Sequence, residues 1–243
     1  MMKNNIIYGL HPVMEAIKSG KQIDKIFVQK SLKGTLSQQL LSLLHDEKIS
    51  YKSVPIEKLN KLTRDNHQGV VAFISPITFA NLESILDSKK SKSATFVLLD
   101  GITDPRNFGA IVRTAAATDV TAIIIPENNS APINEDAVKT SAGGIFKVPI
   151  VKVKHLKDAI FLLQAHDIKV VAATEKSNQL VFNIDLKPDF ALIMGSEGKG
   201  VNKSILQLAQ EHAKLPMSDK IDSLNVSVAC GVILYESVRQ RLK

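Results

Sequence analysis

The chain has 243 residues, 44% hydrophobic and 23% charged, which excludes a disordered protein and supplies apolar material for one large core or two modest ones. A formal net charge of +7 favours polyanionic partners such as nucleic acid. The single cysteine, Cys230, rules out an internal disulfide, and with no two histidines at ligand spacing on a helix a metal site is not expected.

The start, Met1 to Gly9, has no long apolar core before a small-residue cleavage site, and no apolar run approaches membrane-spanning length, so a cytoplasmic protein is expected. Pro12 stands where a first helical residue would, with Val13, Met14 and Ile17 at helical spacing and Gly20 as a stop. Ile23 to Gln29 reads as a strand, Leu36 to His45 as an amphipathic helix and Ile49 to Val54 as a strand. Pro55 to Leu62 then reads as a short helix and Val70 to Ile74 as an apolar strand, giving a small α/β domain over residues 1–75. That domain carries 11 Lys or Arg against 6 Asp or Glu, which fits either a docking surface for RNA or lysines that keep a small domain soluble. Its His67-Gln68-Gly69 segment is either a functional turn or a satisfied polar one.

Residues 76–93, with Pro76 and the polar run Ser88 to Ser93, read as a linker. The second domain, 94–243, opens with the apolar run Phe96 to Leu99 and repeats such runs at Ala122 to Ile125, Val170 to Ala173, Ala191 to Met194 and Ala213 to Leu215. Helical patterns intervene at Ala110 to Thr118, Leu156 to Ala165 and Val201 to Gln210, and a last helix spans Val226 to Arg241. This alternation predicts a parallel sheet covered on both faces, with ligands bound beyond the carboxyl ends of its strands.

Three loops carry candidate chemistry. After Leu99, the segment through Asp104, Asn107 and Gly109 leads to Arg113 among small residues, which would let another backbone or subunit approach. A helix start there would offer free amides to an anion, and Arg113 is either a fork for phosphate or a solvated surface arginine. After Met194, Gly195-Ser196-Glu197-Gly198-Lys199-Gly200 suggests backbone close to a ligand, yet it fits neither the Walker nor the Rossmann spacing. Glu197 is either a site carboxylate or a group that stabilises a helix start. In the third segment Ser223 or Asn225 could cap the final helix, while Pro216, Met217 and Leu224 make an apolar frame suited to an adenine ring.

Taken in order, these segments resemble the three signature motifs of the SpoU (TrmH) family of SPOUT RNA methyltransferases. The match runs through Asn107, Gly109 and Arg113, then Gly195 to Gly198, then Ser223-Leu224-Asn225-Val226-Ser227. Tyr8 to Val13 and the His67-Gln68-Gly69 turn resemble the amino-terminal domain of large-subunit rRNA guanosine 2′-O-methyltransferases. The resemblance implies a homodimer, a deep trefoil knot in the catalytic domain, and S-adenosyl-L-methionine as methyl donor to a ribose 2′-hydroxyl of 23S rRNA. The same chemistry on tRNA or on an rRNA adenosine is the alternative, and a non-catalytic RNA-binding assembly factor the remaining one. Implied cofactor contacts are Gly195, Leu215 and Leu224, with Ser196, Gly198, Met217 and Asn225 beside them. Ser196 stands where many members have Ala, and Leu215 where many have Ile. The implied catalytic set is Arg113, Asn107, Glu197, Ser223 and Asn225. The family assigns activation of the hydroxyl to the arginine. A guanidinium holds its proton so tightly that positioning phosphate and ribose is the alternative role.

Overall fold

The computed structural model describes residues 6–88, 93–221 and 223–242, so Lys89 to Lys92 of the expected linker lie outside the described residues. The chain forms two compact units, one of residues up to Thr78 with Pro132–Glu135, the other of Phe79–Ala131 and the chain from Asp136 onward.

The smaller unit runs β1 (Ile6–Tyr8), α1 (Leu10–Lys18), β2 (Ile23–Gln29), α2 (Thr35–Asp46), β3 (Lys52–Val54), α3 (Ile56–Leu62) and β4 (Val70–Ile74). Its sheet is mixed, in the order β1-β4-β2-β3, with only β2 and β3 parallel. Alternate residues of β2 are buried, and the two faces sort cleanly. Ile26 and Val28 pack with Val13, Ile17, Leu40 and Leu44 of α1 and α2. On the other face, Phe27 joins Val54 and Leu59, and its ring meets Phe73 edge-on with centroids 6.0 Å apart. Helix α1 begins at Leu10, two residues before the expected Pro12, because Gly9 at φ 91 turns the chain and the Gln68 side chain accepts the Leu10 amide at 3.1 Å. Strand β1 was not foreseen; three residues give too little pattern.

The larger unit begins inside the expected linker. Helix α4 (Leu82–Asp87) is capped by the Asn81 side chain, and its Leu82 and Leu86 are buried in the main core. Two apolar residues four apart were enough to fold a stretch read from its polarity as unable to support a core. The chain continues through β5 (Thr95–Asp100), α5 (Pro105–Ala117), β6 (Ala122–Pro126), α6 (Glu135–Thr140), β7 (Ile150–Val153) and α7 (Leu156–Ala165). It ends with β8 (Lys169–Ala173), β9 (Phe190–Gly195), α8 (Lys203–Leu206), β10 (Glu211–Ala213) and α9 (Val226–Arg241). All six strands are parallel, in the order β10-β8-β9-β5-β6-β7. The central strands β5 and β9 are buried along their length, as continuous apolar runs predict.

Strand β7 escaped the sequence because it is four residues long and Lys152 interrupts its apolar run, a pattern suited to a sheet edge. The helix expected over Val201 to Gln210 shrinks to four residues because tertiary bonding claims its end: Gln210 donates its amide to the Val170 carbonyl at 2.9 Å and accepts the Val170 amide through its side chain. The carboxyl end of α9 is bolted to the sheet by Arg241. Its guanidinium donates to the Lys187 and Pro188 carbonyls and the Thr95 hydroxyl, and lies 5.4 Å over the Phe190 ring. This fixes where the helix's other end, at Asn225, meets the strand ends.

Candidate active site

Strands β5 and β9 lie side by side, in register from Thr95 with Phe190 to Asp100 with Gly195. From β5 the sheet extends one way through β6 and β7, whereas β10 lies at the opposite edge. Loops leaving the carboxyl ends of β5 and β9 therefore diverge, and this switch point is where open parallel sheets bind ligands.

The first loop enters α5. Asp104 accepts the Arg106 and Asn107 amides at 2.8 and 2.9 Å, and Pro105 supplies the preset φ of a first turn. One expectation is corrected here: the first-turn amides are occupied by Asp104 and are not free for an anion. The small residues near Arg113 do serve close approach by backbone. A Cβ on Gly109 would lie 2.7 Å from the Ala137 carbonyl, and one on Gly144 would lie 3.4 Å from the Arg113 Cα. Arg113 itself is exposed, with no side-chain hydrogen bond or ion pair among the described residues.

The second loop winds on itself. Ser196 and Gly200 exchange backbone hydrogen bonds of 3.2 and 2.8 Å, Gly198 turns the chain at φ 81, and Asp100 accepts the Asn202 amide at 2.7 Å. A Cβ on Gly195 would lie 2.1 Å from both the Gly200 carbonyl carbon and the Val201 nitrogen. The close approach that requires glycine at 195 is thus the chain's own return, a correction to reading it as a ligand signal alone.

The third segment delivers Asn225 to the start of α9. Its Oδ1 accepts the Ser227 and Val228 amides at 3.0 and 3.4 Å, capping the helix. Its Nδ2 donates to Asn107 Oδ1 at 2.9 Å and to Glu197 Oε1 at 2.7 Å. Asn107 Nδ2 donates to the same carboxylate oxygen at 3.2 Å, and the Val226 amide approaches it at 3.4 Å. One oxygen of Glu197 therefore joins segments 28 and 90 residues away in sequence. Bonds to an ionised acceptor are the stronger kind, and the carboxylate also faces the positive end of α9. Asn225 thus caps the final helix as expected, whereas Glu197 stabilises the start of α9 and not that of the helix next after it in sequence.

Glu197 also lines a cavity of about 360 Å³, within the range of small-molecule sites. Gly195, Ser196, Gly198, Leu215, Met217 and Leu224 contribute to its wall, as does Ser223. Asn225, Asn107 and Arg113 are not part of that wall. Sequence reasoning missed the loop after β8, where Thr174 and Glu175 line the same cavity, and it missed Lys214. The signal was available, since Val170 to Ala173 read as a parallel strand whose carboxyl end should carry binding residues. Apolar side chains and glycine backbone suit a flat ring and its edge, and three ionisable groups suit a charged tail. In α9 the Cys230 thiol is fully buried, and burial pushes its pKa up to about 12, so it offers no thiolate near neutral pH. Along the same helix Val228, Val232 and Tyr235 are exposed and form, with Ala110 and Thr114 of α5 and Phe182, a shallow apolar groove of about 680 Å³.

Residues 94–235 match the SpoU rRNA methylase family, and residues 6–80 match the RNA 2′-O ribose methyltransferase substrate-binding domain. A Staphylococcus aureus protein named as a TrmH family tRNA/rRNA methyltransferase is 36% identical over 99% of this chain and 98% of its own length. The structure of an rRNA methyltransferase from Sinorhizobium meliloti with S-adenosylmethionine bound is 27% identical, with a TM-score of 0.63 over 98% of this chain and 88% of that one. A TrmH/SpoU tRNA-modifying enzyme of A. aeolicus is 31% identical, with a TM-score of 0.57 over 66% of this chain and 80% of its own.

Proposed function

Because the chain belongs to the SpoU (TrmH) family of S-adenosylmethionine-dependent RNA 2′-O-methyltransferases, we propose that it methylates the ribose of a guanosine in 23S rRNA. The observation that carries the methyl-transfer chemistry is the Asn107–Glu197–Asn225 cluster, which gathers three distant loops beside a cavity fit for the cofactor, while the rRNA guanosine target rests on the resemblance of the amino-terminal domain. Bound there, S-adenosylmethionine supplies an electrophilic methyl group. The protein's own task is to hold a ribose 2′-hydroxyl in line with it, and alignment alone supplies much of a displacement's rate.

Roles follow from position. The exposed Arg113 guanidinium, unpaired among the described residues, takes the phosphate next to the target ribose, because a group that keeps its proton binds phosphate well and serves poorly as a base. Asn107, Glu197 and Asn225 act as positioning residues that fix the start of α5 against the start of α9. Ser223, exposed at the cavity wall, is placed to meet the ribose. Gly195, Leu215 and Leu224 hold the cofactor, with Ser196, Gly198 and Met217 beside them.

The remaining parts of the reading rest on separate grounds. The apolar stripe Val228, Val232 and Tyr235 supports a homodimer that pairs α5 and α9 with their copies. The trefoil knot is carried over from the family alone. The amino-terminal unit, residues 1–75, supplies the grip on structured RNA, and the catalytic domain is 94–243. Among the described residues no helix is long and apolar enough to cross a membrane.

A mass-spectrometric map of ribose methylation in rRNA and tRNA from cells lacking the gene tests the substrate. Loss of one 2′-O-methylguanosine from 23S rRNA is expected. Loss of a tRNA methyl group with rRNA unchanged would reject the rRNA target while keeping the chemistry.

A further inference from the structure

The cavity wall contains three ionisable side chains, Glu175, Glu197 and Lys214. Glu197 already serves the Asn107 and Asn225 amides. The other two have no such duty: neither side chain makes a hydrogen bond or an ion pair among the described residues. They are nonetheless neighbours by topology. Strands β8 and β10 are adjacent and parallel, with Ala173 opposite Ala213, and the Thr174 amide donates to the Ala213 carbonyl at 2.8 Å. Glu175 and Lys214 thus leave the sheet at the carboxyl ends of two paired strands and line one cavity without pairing with each other.

Glu175 is exposed and Lys214 half-buried, so both can meet a ligand at the cavity mouth. Apart from the hydroxyls of Thr174, Ser196 and Ser223, the rest of this wall is apolar side chain or glycine backbone, including Met194, Leu215, Val226 and Ile233, which suits the uncharged ring of an adenosine. The opposite end of S-adenosylmethionine carries an ammonium and a carboxylate on one carbon. A single charged side chain would attract one of these groups and repel the other, whereas a cation and an anion set together answer both.

Resting on the assignment of this cavity to S-adenosylmethionine, we propose that Glu175 and Lys214 grip the cofactor's amino-acid end, Glu175 its ammonium and Lys214 its carboxylate. Both partners would be charged, so each bond is of the stronger, charge-assisted kind, tempered by the partial exposure of the cavity mouth.

Calorimetry on the full chain tests the pair with three probes: S-adenosylmethionine, S-adenosylhomocysteine, and 5′-methylthioadenosine, which keeps the adenosine and lacks the amino-acid end. Glu175→Gln and Lys214→Met should each weaken the first two by about tenfold and leave the third within about twofold, the loss corresponding to one charged hydrogen bond. Unchanged affinity for the first two probes in both variants would overturn the pair. So would an equal loss for 5′-methylthioadenosine, which would mean that the substitutions disturb the adenosine site or the fold. If the unsubstituted chain binds S-adenosylmethionine no better than 5′-methylthioadenosine, the pair fails while the cofactor assignment stands; if it binds neither, both fail.

Discussion

Two polar loops of this chain look alike on paper and behave differently in the fold. In the small unit, His67 bonds within its own stretch of chain, while Gln68 and Gly69 accept backbone amides from Leu10 and Gln29. His67 Nδ1 accepts the Gly69 amide at 3.0 Å, Nε2 bonds Asn60 Oδ1 at 2.8 Å, and Gln68 Oε1 takes the Leu10 amide. In the large unit, the side-chain partners of Glu197 come from 28 and 90 residues away, and the nearby α5 leaves the Arg113 guanidinium exposed. A turn whose polar side chains are each engaged by backbone amides or one neighbouring amide side chain has little left for a ligand. A cluster assembled from distant loops fixes the relative position of two helices, and such precision is useful where a substrate must be aligned.

The sharpest way to break this contrast is to truncate one residue on each side. Arg113→Ala should lower methyl transfer on the order of 10³-fold, as removal of a preorganised donor does, with cofactor affinity nearly unchanged because Arg113 lies outside the cavity wall. Single-turnover kinetics together with calorimetry would check both halves, and retained turnover would remove Arg113 from the site. Asn225→Ser should cost roughly 10- to 100-fold in transfer while the melting temperature stays close to that of the parent. Serine caps a helix as well as asparagine but cannot donate to Glu197 and Asn107. His67→Ala should do the converse. Losing a buried group that ties two partners together costs on the order of 1–3 kcal/mol of stability. Urea titration would show this loss, while the folded fraction keeps its turnover on a minimal RNA. A turnover defect that exceeds the loss of folded protein would make the turn more than scaffold.

How much of this was legible in the sequence differs between the two units for physical reasons. Strands β2 and β4 fall where period and apolar runs put them, because each is bounded by glycine or polar turns and packs through its own side chains. The cofactor contacts implied by motif resemblance, Gly195, Leu215 and Leu224, lie in the cavity wall. The loop holding Glu175 was signalled by the strand before it, but its relation to Lys214 was not visible, since that arises only when β10 pairs with β8 about 40 residues further along the chain. Helix α8 was overestimated for the same reason, its tail being captured by Val170. Local pattern reports elements well, but it cannot report which strand ends become neighbours.

The smallest expected effect bears on the small unit's surface rather than its turn. Lys30 and Lys33 are exposed in the loop after β2, and that loop lies against the His67–Gly69 turn, where a Cβ on Gly69 would sit 2.4 Å from a Leu32 methyl. If these lysines meet RNA phosphates, a Lys30→Ala, Lys33→Ala double variant should reduce the slope of log affinity against log salt by about two, since each neutralised phosphate contributes roughly 0.7–0.9. Affinity at physiological salt should fall by about tenfold, and turnover at saturating RNA should hold. A slope identical to that of the parent would assign these charges to solubility alone and move the RNA-binding face elsewhere on the unit. A reduced slope would mean that the turn serves binding indirectly, by holding rigid the loop from which the two ammonium groups project.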